Sequence, residues 1–195
     1  METIEQSIEV EAPLSTVYNQ WTQFGDFPEF MEGVEEVRQL GNRHLHWVAH
    51  VAGHRHVWDA EIYEQVPDQR IAWRSISGTP NEGEVQFEPV SGSRTRVQIR
   101  IKYQPQGALE KIGDALGVAS ARVKGDLKRF KEFIEARGTP TGAWRGEIHG
   151  TETRGAETNR SAETTPRSKR FYDEQSSDVS SSGTSDPHMG SGPQR

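Results

Sequence analysis

The spacing of hydrophobic residues changes period along the chain, and each period predicts an element. Residues 3–10 alternate, with Ile4, Ile8 and Val10 against Glu5, Ser7 and Glu9, which predicts a strand. Pro13 stands where a helical turn begins. Leu14, Val17, Tyr18 and Trp21 follow at helical spacing, giving a short helix to about Phe24. Gly25 breaks it, and Asp26 can cap a second short turn containing Phe27, Pro28, Phe30 and Met31. From Gly33 the period is two. Strand-like runs cover about 34–40, 44–51, 54–66, 69–76, 83–89 and 94–104, separated by short turn sequences and by the loop Gly78-Thr79-Pro80-Asn81. No helix-length segment interrupts them, so the six runs predict an antiparallel meander.

From about Pro105 to Arg137 the period becomes helical again. Leu109, Ile112, Leu116, Val123, Leu127, Phe130 and Ile134 form one apolar stripe, and Gly138 is a natural stop. A single helix cannot bury such a stripe alone, and the sheet is its expected partner. The fold class is therefore α+β: one N-terminal strand, two short helices, a six-strand meander curved around a long C-terminal helix.

The turn at Ala52-Gly53 allows a register to be deduced. A two-residue hairpin there sets Trp47 opposite Trp58, Ala49 opposite His56 and Leu45 opposite Ala60 on one face. On the other face His46 meets Asp59, His44 meets Glu61 and His50 meets Arg55. The clean split between an aromatic and a charged face supports this register. Across Pro67-Asp68 the same reasoning sets Ile62 opposite Trp73. Trp47, Trp58, Trp73 and His56 then point inward with Val85, Phe87, Ile99 and Ile101.

After Gly138 the pattern dissolves into Gly, Ser, Thr, Arg and Glu. Residues 1–137 are expected to form one ligand-binding domain. Residues 138–195 are expected to be a largely disordered polar tail, with a short docked segment near 141–148 built on Trp144 and Ile148. The basic-aromatic run Arg167-Ser168-Lys169-Arg170-Phe171-Tyr172 is either a linear interaction site or solvated tail.

Composition narrows the function. The formal net charge is −6, which gives the chain no general attraction for nucleic acid. Cysteine is absent, excluding disulfides and thiol catalysis. No apolar run reaches the ~20 residues of a membrane span, and the acidic start METIEQSIEVEA is no signal peptide. A cytoplasmic protein is the expectation. There is no phosphate loop, dinucleotide fingerprint or nucleophile elbow, so no cofactor is implied.

The order of elements and several separate stretches resemble the START-like superfamily called SRPBCC, with its helix-grip fold, in the polyketide cyclase/dehydrase and coenzyme Q-binding branch. The likeness runs from about residue 2 to 137. It rests on Glu11-Ala12-Pro13 followed by Val17-Tyr18-Asn19-Gln20-Trp21, on Phe27-Pro28 and Phe30-Met31, on Trp58-Asp59-Ala60-Glu61-Ile62, on Arg70-Ile71-Ala72-Trp73-Arg74-Ser75, and on Gly125-Asp126-Leu127-Lys128-Arg129-Phe130-Lys131. It implies a pocket between sheet and helix, and a lipid, isoprenoid quinone or aromatic polyketide-like molecule as its occupant. The expected lining is Phe27, Phe30, Met31, Trp47, Ala49, His56, Trp58, Trp73, Val85, Phe87, Ile99, Ile101, Tyr103, Leu109, Ile112 and Leu116. Binding without catalysis is the leading expectation. The alternative is a cyclase or aromatase in which His56 or Tyr103 moves protons during aldol closure and dehydration. A third reading makes the tail the working part of an interaction protein. His44, His46, Asp59 and Glu61 resemble a metal site, but as opposite-charge cross-strand pairs on the outer face they need no metal, and none is expected.

Overall fold

The computed structural model describes residues 2–51, 53–103 and 115–155. Strand β1 (Glu2–Val10) leads into helix α1 (Leu14–Trp21) and a short 3-10 helix, Phe24–Glu29. Six strands follow: β2 (Val34–Leu40), β3 (His44–Val51), β4 (His54–Val66), β5 (Arg70–Gly78), β6 (Asn81–Ser91) and β7 (Arg94–Tyr103). Helix α2 (Ala115–Arg137) comes next, then two three-residue strands, β8 (Glu147–His149) and β9 (Glu152–Arg154). The main sheet runs β1-β7-β6-β5-β4-β3-β2, every pair antiparallel. The described residues belong to one compact unit. This is the expected α+β architecture, a curved sheet with a long helix near the C-terminus.

Local chemistry explains the boundaries. Pro13, at φ −58°, precedes α1, where its missing N–H is no loss, and its carbonyl accepts from Val17 N at 3.1 Å. Gly33 has φ +73°, and a Cβ there would run into the His50 carbonyl. Only glycine allows the chain to turn from the 3-10 helix into β2 against β3.

The deduced hairpin register is the observed one. Trp47 pairs with Trp58, His46 with Asp59 and His44 with Glu61, and Ile62 pairs with Trp73. Register shifts interrupt the β4–β5 pairing between Asp59 and Ala60 and between Ile62 and Glu64. Such bulges sharpen bending and twist, which suits a sheet that curves around its contents.

On the outer face charges alternate across strands. Arg96 reaches Glu9 at 2.9 Å, and Arg100 reaches Glu5 at 2.6 Å and Glu84 at 3.1 Å. These pairs are exposed, so they fix register more than they add stability. The histidines behave the same way. His46 Nδ1 lies 2.7 Å from Asp59 Oδ1, and Ser77 Oγ donates to Asp59 Oδ2 at 2.8 Å. These two hydrogen bonds hold the Asp59 carboxyl below its usual range. His50 sits opposite Arg55 in register, but its ring pairs with Glu35 of β2 at 2.6 Å.

Inside, Trp21 is the hub. Its ring lies 4.6 Å from Phe130, 5.8 Å from Phe27 and 6.1 Å from Phe87, mostly edge to face. From α2, Leu127, Phe130 and Ile134 are fully enclosed and Val123 packs beside them. The expected stripe fails at one described position: Leu116 is 40% exposed. It lies two turns before Val123 on the same side of the helix but is not part of the core cluster that takes in Val123, Leu127, Phe130 and Ile134. Leu109 and Ile112 lie outside the described residues.

The packed chain does not end at 137. Trp144 and Ile148 are buried, and β8 pairs with Glu64 and Gln65 of β4. Polar ties reinforce this strap. Thr141 N donates to Gln20 Oε1 at 2.9 Å, and Trp144 N donates to Thr22 Oγ1 at 3.0 Å. Arg145 bonds Asp68 through both guanidinium nitrogens and covers the Tyr18 ring at 5.4 Å. Tyr18 is wholly buried, its hydroxyl oxygen accepts from Gln65 Nε2 at 3.0 Å, and burial pushes its hydroxyl up to about 12.

Candidate functional site

The concave side of the sheet is not filled completely. A cavity of about 300 Å³ remains, bounded by the β3–β5 region, the ends of β6 and β7, and the aromatic corner after α1. Its composition follows from strand alternation. Trp47, Trp58 and Trp73 come from inward positions of three successive strands, and Leu45, Ile62 and Ile71 come from the same face of β3, β4 and β5. Ile99 and Ile101 supply the β7 side, and Trp21, Phe24, Phe27 and Met31 close the corner.

Trp47 and Trp58 stack with centroids 5.3 Å apart and planes within 11°, the product of their direct cross-strand pairing. Phe27 meets Trp47 at 5.7 Å. Trp73 takes a different position because of the residue facing it. It pairs with Gly83, where a Cβ would sit 2.9 Å from Cε2 and Cη2 of the indole and closer to Cζ2. The ring therefore lies against the bare backbone of β6. Its Nε1 donates to Asn81 Oδ1 at 3.2 Å.

Seven of the expected lining residues border this cavity: Phe27, Met31, Trp47, Trp58, Trp73, Ile99 and Ile101. Phe30, Val85 and Phe87 do not; they are packed solid in the core, as the rings of Trp21 and Phe130 fill the space beside them. Ala49 is also buried away from the cavity, opposite Val34 of β2. His56 is partly exposed and stands outside the wall, its Nδ1 3.4 Å from Thr79 Oγ1. Leu116 is exposed on α2. Tyr103 ends β7 opposite Asn81 and Glu2 in register; its side chain, like Leu109 and Ile112, lies outside what is described.

Sequence reasoning missed Trp21, Phe24, Leu45, Val51, Ile62, Ile71 and Asn81. For Leu45 and Ile62 the signal was present, since the register already set them on the tryptophan face. Asn81 read as a loop residue.

A wider concavity of about 490 Å³ lies elsewhere, bounded by Glu5, Ser7, Glu84, Gln86, Gln98 and Arg100 with Gln6, Ile99 and Lys124. Its walls are largely the charged ladder, whose groups already satisfy one another, so the aromatic cavity is the better candidate for a ligand. Among the described residues no three His, Asp or Glu side chains converge on a metal position, and no described helix is long and apolar enough to cross a membrane.

The comparison with known proteins agrees with this architecture. A protein of Streptomyces lincolnensis, described as an uncharacterized 17.2 kDa protein from the melC2-rnhH intergenic region, is 46% identical over 149 residues, spanning 76% of this chain and 99% of its own. The crystal structure of DR_A0006 from Deinococcus radiodurans superposes with a TM-score of 0.57 at 27% identity, covering 70% of this chain and 99% of that one. The Zhui aromatase/cyclase of a Streptomyces species superposes with a TM-score of 0.59 at 17% identity over 73% and 98% of the two chains, a likeness of fold. Residues 10–132 match the family described as polyketide cyclase / dehydrase and lipid transport, and the chain belongs to that family.

Proposed function

We propose that this chain binds a small, flat, mainly apolar molecule in the cavity between the sheet and the aromatic corner. The observation that carries this is the cavity wall: stacked indoles, a third indole laid on bare backbone, phenyl rings, a thioether and branched aliphatics around about 300 Å³. That volume is at the low end for ligand pockets. It suits a fused ring system, or the ring of a longer molecule such as a quinone whose tail extends beyond it.

The magnitude is modest. A two-ring aromatic buries about 150–250 Å², worth ~4–6 kcal/mol at 25 cal/mol per Å². Association entropy offsets part of that gain. A simple ring probe should therefore bind with Kd on the order of 0.1–10 mM, and a natural ligand that uses more contacts should bind more tightly. Indole, phenyl, thioether, aliphatic and carboxamide groups do not titrate near neutral pH, which favours holding a molecule over moving its protons. A cyclase would need His56 or Tyr103 to reach the bound molecule. Native mass spectrometry of the full chain from its own host should reveal a co-purified small molecule, and 2-naphthol should quench tryptophan fluorescence saturably. Quenching by 2-naphthol no greater than that of free tryptophan under the same conditions, together with no co-purified small molecule, would overturn the binding reading.

A further inference from the structure

Among the described lining residues, one side chain carries a carboxamide where the others are aromatic, aliphatic or thioether: Asn81, at the start of β6. Its carboxamide is held at both ends. Trp73 Nε1, which can only donate, gives its hydrogen to Oδ1 at 3.2 Å. The Thr79 carbonyl, which can only accept, takes one from Nδ2 at 3.2 Å. Two partners of opposite kind leave the amide a single orientation, with oxygen toward Trp73 and nitrogen toward Thr79.

The segment that carries Asn81 is anchored as well. Its backbone N–H donates to Ser75 Oγ at 3.4 Å, and Thr79 Oγ1 lies 3.4 Å from His56 Nδ1. The amide is thus tied to β5 and to the β3–β4 hairpin. A primary amide has two hydrogens to give and two lone pairs to receive. Among the described residues, one hydrogen and one lone pair have no protein partner. The Trp47 Nε1–H of the same wall is also without a partner among the described residues, but it can only donate, whereas the fixed amide of Asn81 discriminates by chemistry: a ligand that completes it gains a hydrogen bond, and one that covers it with hydrocarbon leaves it unsatisfied. A carboxylate would lose its hydration against a single neutral donor, with no charged side chain among the described lining residues to replace the water.

Resting on the binding reading above, we propose that Asn81 is the specificity-determining residue of the cavity. It selects a flat apolar ring system bearing one neutral oxygen, a carbonyl or hydroxyl, over plain hydrocarbon and over a carboxylate. Trp73 is its positioning residue: it fixes which end of the amide is offered.

The test is a set of titrations of the full chain with naphthalene, 2-naphthol, 2-acetonaphthone and 2-naphthoate. The wild type should bind naphthol and the ketone about 2–10-fold more tightly than naphthalene, the range one net hydrogen bond provides, and should bind naphthoate more weakly than naphthol. Asn81→Leu should bring both ratios to one or below while naphthalene still binds. Because affinities are compared within each variant, a general loosening of the wall cancels. Asn81→Asp keeps an acceptor for Trp73 Nε1 but has no hydrogen to give, so it should lose the preference for the ketone and keep that for naphthol. If no probe binds the wild type, the binding reading itself fails. If the neutral probes bind equally well, or Asn81→Leu keeps the wild-type ratios, the cavity stands and the assignment of Asn81 is overturned.

Discussion

Replacing Gly83 with Ala adds one methyl group, and the structure says where it must go. The new Cβ would stand 2.9 Å from Cε2 and Cη2 of Trp73, with Cζ2 nearer, where carbon atoms settle at ~3.5–4.0 Å. The indole must therefore retreat by about 1 Å. Gly83 lies behind it on β6, so the free direction is into the cavity. Two costs follow. Overpacking of this kind costs about 1–3 kcal/mol, toward the lower end here because an open space receives the ring. The same movement stretches the 3.2 Å bond from Trp73 Nε1 to Asn81, worth ~1 kcal/mol. For a domain of this size each kcal/mol moves Tm by about 2–4 °C, so a fall of roughly 3–10 °C is expected. Titration with 2-naphthol should show weaker binding, since the displaced ring occupies ligand space. Gly92→Ala is the control: no atom lies within 4 Å of a Cβ there, and its φ is in the ordinary range, so Tm and affinity should hold. Unchanged melting and unchanged naphthol binding for Gly83→Ala would refute the account of how Trp73 is seated.

Phe130→Ala removes a fully enclosed ring that touches Trp21 and Phe30 and should cost about 3–5 kcal/mol by denaturant unfolding, whereas Leu116→Asp, at an exposed site, should change stability by about 0.5 kcal/mol or less. A chain ending at residue 137 loses the buried Trp144 and Ile148 and the pairing of β8 with β4, so urea unfolding should show a loss of several kcal/mol, about 1.5–3 per buried apolar side chain; a chain ending at 155 should unfold like the full length. Tyr18 is neutral in the folded chain up to about 12, against 10.0 for an ordinary tyrosine. The unfolded chain therefore releases this proton first as pH rises, and stability that is fully present below pH 10 should fall between about pH 10 and 12, by up to ~2–3 kcal/mol. Melting curves across that window should show a shallower decline for Tyr18→Phe than for wild type; parallel declines would remove Tyr18 from the explanation.

The parts legible in the sequence were those where both periodicity and side-chain chemistry spoke. The β3–β4 register could be read because one slip would have mixed tryptophans with charges. The lower stripe of α2, from Val123 to Ile134, was legible because its helical spacing is kept and all its members pack into the core. Leu116 continues that spacing, but spacing alone does not reveal where burial ends. The two bulges of β4 and β5 left no mark, since each displaces a single residue. Asn81 follows Gly78-Thr79-Pro80, a sequence whose local chemistry says turn; only the strand pairing with β7 places it at the cavity wall. Trp21 and Phe24 read as part of a short helix, and nothing in their spacing separates a ring that fills the core from one that borders a space.

The pairing of β1 with β7 has a consequence for how the chain is made. Glu5 and Arg100, partners across that ladder, are 95 positions apart. At ~5–20 residues per second of synthesis, β1 waits roughly 5–20 s for its neighbour. Throughout that time its alternating apolar side and its backbone donors are open to other chains. The acidic residues at 2, 5, 9 and 11 then have a use before folding, repelling other nascent copies until the arginines of β7 arrive to neutralise them. Long-range closure of this kind also makes for slow folding.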